Sequence, residues 1–244
     1  DTESKKLMRG EDEWKSQGVS ASGGGTTINY VLKYVLSEDN YYLGTDITVD
    51  RVILITGDAT LCLNGNSITG KSYAVDVIGI KENVKFTLTD CKGNGNAYGK
   101  ITHASDSEGR GISVGSNATF NMYGGSITRN TADKGGGVFV NVYDGKAATF
   151  TVSGNVTFGN GKEGSSDNVY LEKDGEKNAT ITIGEGGLGT SANIGVTAST
   201  PSVGLVVATG ADENTNYGSI IVSDDDTYKV TRDSSDGTKL GLVL

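Results

Sequence analysis

Several residue types are almost missing from this 244-residue chain: Pro201, His103 and Trp14 each stand alone, and Cys62 and Cys91 are its two cysteines. A single proline and no three-residue glycine period exclude a collagen-like rod. With one histidine, any Ser-His-Asp or Cys-His apparatus has to run through His103. Two cysteines describe a chain that does not depend on bridges for its fold. No run approaches the roughly 18 apolar residues of a membrane span. Basic residues number 21 against 30 acidic, a formal net charge of -9. That balance disfavours nucleic acid, whose phosphates need a lysine and arginine surface, and anionic membranes likewise. The chain does not begin with Met and shows no signal-peptide hydrophobic segment, so a processed or trimmed form is expected.

Glycine is abundant, at 37 residues. Valine and isoleucine outnumber leucine, and threonine, tyrosine, asparagine and glycine fill the spaces between them. β-branched residues alternating with turn formers read as many short strands joined by tight turns. The fold class expected is all-β.

A short phrase then recurs: Ala59-Thr60-Leu61-Cys62-Leu63, Val84-Lys85-Phe86-Thr87-Leu88, Ala118-Thr119-Phe120-Asn121-Met122, Ala148-Thr149-Phe150-Thr151-Val152 and Ala179-Thr180-Ile181-Thr182-Ile183. Its central residues Leu61, Phe86, Phe120, Phe150 and Ile181 lie about 25, 34, 30 and 31 positions apart. Gly65, Gly124 and Gly154 follow three of these anchors by a fixed four residues, and Asn130 and Asn160 follow by ten. A second phrase precedes several anchors: Gly111-Ile112-Ser113-Val114, Gly137-Val138-Phe139-Val140 and Asn168-Val169-Tyr170-Leu171. Each unit holds two or three period-2 strands of three to five residues. Strands this short are satisfied when each pairs in parallel with its equivalent one repeat away, burying a column of side chains. Phe120 and Met122 are expected inside, with Thr119 and Asn121 outside.

The phrases Leu61-Cys62-Leu63-Asn64-Gly65-Asn66-Ser67-Ile68-Thr69-Gly70, Phe120 to Ala132 and Gly135-Gly136-Gly137-Val138-Phe139-Val140 resemble right-handed parallel β-helix repeats of the pectate-lyase-like type, in the version found in surface-exposed or secreted proteins of Gram-positive bacteria. The resemblance covers roughly residues 41–200. It implies a right-handed parallel β-helix of about six to seven coils with a short N-terminal cap, at an extracellular or cell-surface location. The same fold carries lyases, hydrolases, adhesins and passive stalks, so it implies no single activity. The boundaries expected are a polar segment over 1–25 and one β-helix domain over 26–244. That domain includes a cap at 26–40, of helix or strand, and closing strands at 203–244. A short helix is expected between Glu11 and Gln17 around Trp14.

The chemistry-bearing residues are sparse. Lys100, His103, Asp106, Glu108 and Arg110 share the longest stretch between anchors and read chiefly as a solvated, charged corner. The arginines are Arg9, Arg51, Arg110, Arg129 and Arg232, and Arg110 stands nearest several carboxylates. The paired aspartates, Gly-His-Gly and Arg-x-Lys that the resemblance would ask of a polygalacturonase are missing. Asp144 and Asp224 to Asp226 read as hydrated turns rather than a calcium site. In the register of the anchors, Cys62 follows its anchor by one residue and Cys91 by five. That difference is about 13 Å of strand, beyond the roughly 7 Å limit of a bridge, so both are expected as free thiols. Thr60, Thr87, Thr119, Thr149, Thr151, Thr180 and Thr182 form outward columns, interrupted by Lys85, Asn121 and Cys62. Flat threonine arrays can bind ice, but threonine is also the ordinary polar choice for an exposed strand.

No catalytic, cofactor-binding or metal residues are assigned and no cofactor is expected. The function expected is a secreted or cell-surface structural and adhesive module, non-catalytic, presenting a rigid polar surface. Its partner would be an extracellular glycan or a host or cell-surface protein, with no nucleic acid and no membrane span. Binding is expected at loops 92–110, 141–147 and 161–167, where Tyr98 and Tyr143 are available to stack on sugars. The alternative is a polysaccharide lyase or glycoside hydrolase with carboxylates converging on Arg110, about 5 to 10 Å apart in the hydrolase case.

Overall fold

The computed structural model describes residues 5–7, 16–17, 33–36, 39–92, 98–158, 168–213 and 215–244. The expected all-β class holds. Three sheets of ten, nine and five strands account for most of the strands, and the single helical element among the described residues is a 3₁₀ turn at Tyr217–Ser219. The chain visits the sheets in strict rotation. Asp39–Leu43 lies in the ten-stranded sheet, Ile47–Val49 in the five-stranded and Ile53–Ile55 in the nine-stranded; Ala59–Cys62 then returns to the first. Five circuits of this kind follow one another, and two shorter circuits beyond residue 180 omit the five-stranded sheet.

Rotation among three sheets makes each strand of these circuits the parallel neighbour of its equivalent one circuit away. Inward side chains therefore stack in columns. In the five-stranded sheet the column is Ile47, Ile68, Ile101, Ile127 and Phe158. In the nine-stranded sheet it is Ile53, Ile78, Ile112, Val138, Val169 and Val196. In the ten-stranded sheet Phe86, Phe120 and Phe150 stack with ring centroids 5.9 and 5.1 Å apart. All three rings are fully buried, and burial of each contributes about 2–3 kcal/mol. β-branched residues suit these positions because parallel strands covered by their own core favour stiff, bulky side chains.

Polar side chains link circuits at the corners. Asp46, Asp58 and Asp76 each accept a backbone N–H from the following circuit, at Ser67 (2.7 Å), Lys85 (2.8 Å) and Arg110 (3.3 Å). The turn expected at Gly65 is an Asn64–Gly65 pair with both φ angles positive, at 52° and 76°, a conformation these residues tolerate best. At the equivalent corner one residue later than expected, Gly125 rather than Gly124 carries the positive φ, 88°.

Two sequence readings need correction here. Phe86, Phe120, Phe150 and Ile181 do pair in one register, but Leu61 pairs with Leu88, two positions away from Phe86. Cys62 therefore faces Thr89, and Cys91 is two residues past that partner rather than four. The chain turns immediately after Thr89, bringing the two Cα atoms to 6.0 Å, and Cys62 and Cys91 form a disulfide. The free-thiol expectation fails because the first repeat is out of phase with the rest. The second correction concerns the segment Glu11 to Gln17: Ser16–Gln17 is a strand paired antiparallel with residues 33–34, and 11–15 lie outside the described residues. Of the cap expected at 26–40, Lys33–Leu36 is a strand of the nine-stranded sheet, while 26–32 and 37–38 lie outside them.

The far end closes by reversal. Ile221–Ser223 extends the nine-stranded sheet in parallel, whereas Lys239–Val243 pairs antiparallel with Val206–Thr209 and then with Lys229–Arg232. Antiparallel pairing there ends the parallel stacking of the ten-stranded sheet.

Candidate functional site

The connections from the five-stranded to the nine-stranded sheet, residues 71–77, 104–111 and 128–137, stack on one another in three successive circuits. Backbone bonds hold them together: Val77 N–H donates to Arg110 O (2.9 Å), Gly109 N–H to Thr131 O (2.8 Å) and Gly111 N–H to Gly136 O (2.7 Å). Between them runs an open groove of about 810 Å³, whose charged and aromatic lining is Tyr73, Asp76, Glu108, Arg110, Asp133 and Lys134.

Backbone strain marks the same place. Among the described residues, six non-glycine residues have positive φ, and four of them are Asn or Asp, which tolerate it. The remaining two, Ala74 (55°) and Arg129 (59°), both lie in these loops. Such outliers persist where surrounding structure over-determines them, and they concentrate at binding sites.

The groove's cations are anchored from below. The Arg110 guanidinium stacks on Phe139 at 4.4 Å, its Nε donates to Lys134 O (2.9 Å), and it lies 3.8 Å from the Asp76 carboxylate. Lys134 sits 5.4 Å over the Tyr170 ring and bonds Glu172 at 3.3 Å; the Glu172 bond and the Tyr170 oxygen hold its ammonium above the usual lysine value. Phe139 and Tyr170 occupy paired positions one circuit apart on the outer face of the nine-stranded sheet and stack at 5.7 Å. Tyr73, from the first of the three loops, is 71% exposed, and the Glu108 carboxylate holds its phenol above the ordinary value. Side chains so arranged offer fixed charge, hydrogen-bonding groups and one exposed ring.

His103 lies behind this groove, not in it. The ring is 3% exposed, against the expected solvated corner. Its Nδ1 is 2.8 Å from Asn130 Oδ1 and its Nε2 2.9 Å from Val75 O. Asn130, itself fully buried, donates to Ile101 O (3.2 Å) and Thr128 O (3.1 Å), which turns its oxygen towards the imidazole. The correction has a plain cause. His103 ends the strand Lys100–His103 on its inward side, in line with Ile101, and the charged residues after it turn outward.

Of the loops expected to bind, 104–110 forms one wall of the groove and 141–147 is a hairpin, while 93–97 and 161–167 lie outside the described residues, as does Asn160. Tyr143 is exposed, at 67%. Sequence reasoning found Glu108 and Arg110 but missed Tyr73, Asp76, Asp133 and Lys134. A signal was present: all four occupy the segments directly before the strands Ile78–Ile80 and Val138–Val140, as Glu108 and Arg110 do before Ile112–Val114. The Asp224 to Asp226 turn also differs from expectation. Asp224 is partly buried and accepts hydrogen bonds from Asn168 Nδ2 and Thr197 Oγ1, and burial pushes its carboxyl up to about 6 against the Thr197 bond. Among the described residues, no three His, Cys, Asp or Glu side chains gather as a metal site.

Comparison with family models, curated proteins and solved structures found no match for this chain. The class defined by the fold is an all-β protein of stacked parallel strands, in which no described helix is long and apolar enough to cross a membrane.

Proposed function

We propose that the chain is a right-handed parallel β-helix, similar to the pectate-lyase-like repeats of Gram-positive surface proteins, and that it works as a secreted or cell-surface adhesive module without catalysis. The observation that carries this reading is the three-loop groove in which Arg110 and Lys134 are already engaged by Phe139, Tyr170, Asp76 and Glu172. Groups held this way present a fixed surface at little reorganisation cost, as a binding site requires. The exposed Tyr73 ring supplies a platform for a sugar face, with Glu108 and Asp133 beside it for hydroxyl groups. The Cys62–Cys91 disulfide fits an oxidising compartment outside the cytoplasm.

A second reading, a polysaccharide lyase or hydrolase, draws on Asp76, Glu108 and Asp133 lining one groove with Arg110. Asp224, whose carboxyl burial pushes up to about 6, belongs to a different part of the chain and does not line that groove. One experiment separates the readings. The protein is incubated with a panel of extracellular polysaccharides, with and without calcium, and both retention and chain cleavage are scored. Retention without new chain ends, weakened in Arg110→Ala, is the expected result. Release of unsaturated or reducing ends, abolished in that variant, would make the protein an enzyme.

A further inference from the structure

A second groove, of about 360 Å³, opens on the outer face of the ten-stranded sheet, and nothing in the reading above uses it. Two hairpins overhang it. Val142–Tyr143 with Lys146–Ala147 and Lys173–Asp174 with Lys177–Asn178 are inserted at the same corner of successive circuits, between the nine-stranded and ten-stranded sheets. The first turns on Asp144–Gly145, both with positive φ (51° and 67°), and the second on Gly175 (56°), the conformations that let two-residue hairpins close. They stack on each other through Gly145 N–H, which donates to Asp174 Oδ2 at 3.3 Å.

This stacking places Lys146 and Lys177 at the same position after each turn, both in the groove lining. Equivalent positions one circuit apart are separated by roughly 5 Å of sheet. Two ammonium groups carried on neighbouring positions repel each other, and neither makes an ion pair among the described residues. The hairpin carboxylates Asp144, Asp174 and Glu176 do not line the groove, and Asp174 is occupied by Gly145. Below the lysines lie Asn117, Thr149, Thr180 and Thr182, amide and hydroxyl groups suited to a polyol. The column Lys85, Thr119, Thr149 brings a third lysine onto the same face. Tyr143, directly across from Lys146, adds an exposed ring.

We infer that this groove binds an acidic polysaccharide, with Lys146 and Lys177 taking the carboxylate or sulfate groups and the threonine and asparagine side chains taking sugar hydroxyls. The inference rests on the reading of the chain as a non-catalytic glycan-binding module, at a site separate from the Arg110 groove. A nucleic acid is the wrong polyanion: its dense phosphates need a far larger basic surface than two or three lysines on a chain of net charge -9.

The test uses the full chain and the double variant Lys146→Ala/Lys177→Ala, with hyaluronan as the carboxylate polymer, dextran sulfate as the sulfate polymer and dextran as the neutral one. Wild type is expected to bind at least one acidic polymer and not dextran, with salt weakening the binding. The double variant is expected to bind that polymer at least tenfold more weakly, with an unchanged melting temperature because both side chains are exposed. The polymer preferred identifies carboxylate or sulfate as the group recognised. Equal binding by wild type and variant would overturn the inference, as would failure to bind either acidic polymer. Binding to dextran alone would overturn it while leaving the broader adhesive reading intact.

Discussion

His103 and Asn130 meet one circuit apart in the interior of the corner, imidazole Nδ1 to amide Oδ1, at 2.8 Å. Because Nε2 also reaches Val75 O in the preceding circuit, one side chain ties three successive circuits together directly behind the Arg110 groove. Gly70 and Gly109 make room for the ring, since a Cβ on either would approach Nε2 to 2.9 Å.

Removing this link is expected to be costly. His103→Ala removes a buried ring together with its hydrogen bonding to Asn130 and Val75 and leaves a cavity in the corner. A loss of roughly 3–5 kcal/mol in chemical denaturation is expected, with Asn130→Ala comparable. Gly109→Ala is expected to destabilise as well, because its Cβ would fall on the Val75 carbonyl, a backbone atom that cannot move aside. Gly145→Ala, where no atom lies within 4 Å, carries only the cost of its positive φ. Stabilities of the two glycine variants within error of each other would refute this account.

The Cys62–Cys91 bridge closes a loop of sequence separation 29, for which loop-closure entropy gives about 3–4 kcal/mol. Thiol titration of the native protein is expected to find none reactive before reduction and two after. Cys62→Ser/Cys91→Ser is expected to lower stability by about 2–4 kcal/mol and to abolish the difference between oxidising and reducing buffers. A melting curve insensitive to reductant in the wild type would contradict the bridge.

Asp224 sets an unusual pH dependence. Its carboxyl titrates at about 6 in the folded chain, against a usual value of 3.8. Between these values the folded form keeps the proton and the unfolded form has released it. The stability it contributes is therefore fully present below about pH 4 and lost as pH rises through 6. Asp236 behaves oppositely: Lys239 and Thr238 hold it at about 2, so its contribution is lost only on further acidification. Asp224→Asn cannot ionise, and its melting temperature is expected to gain on wild type from about pH 4 to about pH 6 and to level off above that. A constant gap across that range would show that Asp224 does not titrate there.

Tyr73 separates binding from folding. Its ring is 71% exposed, so Tyr73→Ala is expected to leave stability within about 0.5 kcal/mol of wild type. Loss of a ring that stacks on sugar is expected to weaken retention by whichever polysaccharide the Arg110 groove binds about tenfold, or about 1.4 kcal/mol. Undiminished retention would remove Tyr73 from the site.

Most of the strand inventory is legible in the sequence, because alternation along three to five residues is a local property. Phe86, Phe120 and Phe150 were recognisable as equivalents from their flanking Thr and Lys residues, and they do stack. Leu61 was misread because its repeat is shorter and its phrase matches Phe86 and Leu88 almost equally well. A slip of two keeps every side chain on the same face, so hydrophobicity offers no objection to it. That slip alone turned a disulfide into two free thiols.

The groove was half visible. Glu108 and Arg110 stood out as charges, whereas Tyr73, Asp76, Asp133 and Lys134 join them only because three loops far apart in sequence stack at one corner. His103 was seen as a reagent or a solvated charge, and its inward direction depends on which face of the strand Lys100–His103 meets the core.

By itself, the sequence determined the all-β class, the repeating unit and the residues that fill the columns, since these follow from period-2 patterning and from Gly and Asn at the corners. Only the tertiary structure decided the register of the first repeat, the Cys62–Cys91 bridge, the burial of His103 and the assembly of both grooves. Each of those rests on contacts between residues about 20 to 40 positions apart, where a shift of one or two residues in the circuit length changes who meets whom without changing the local pattern.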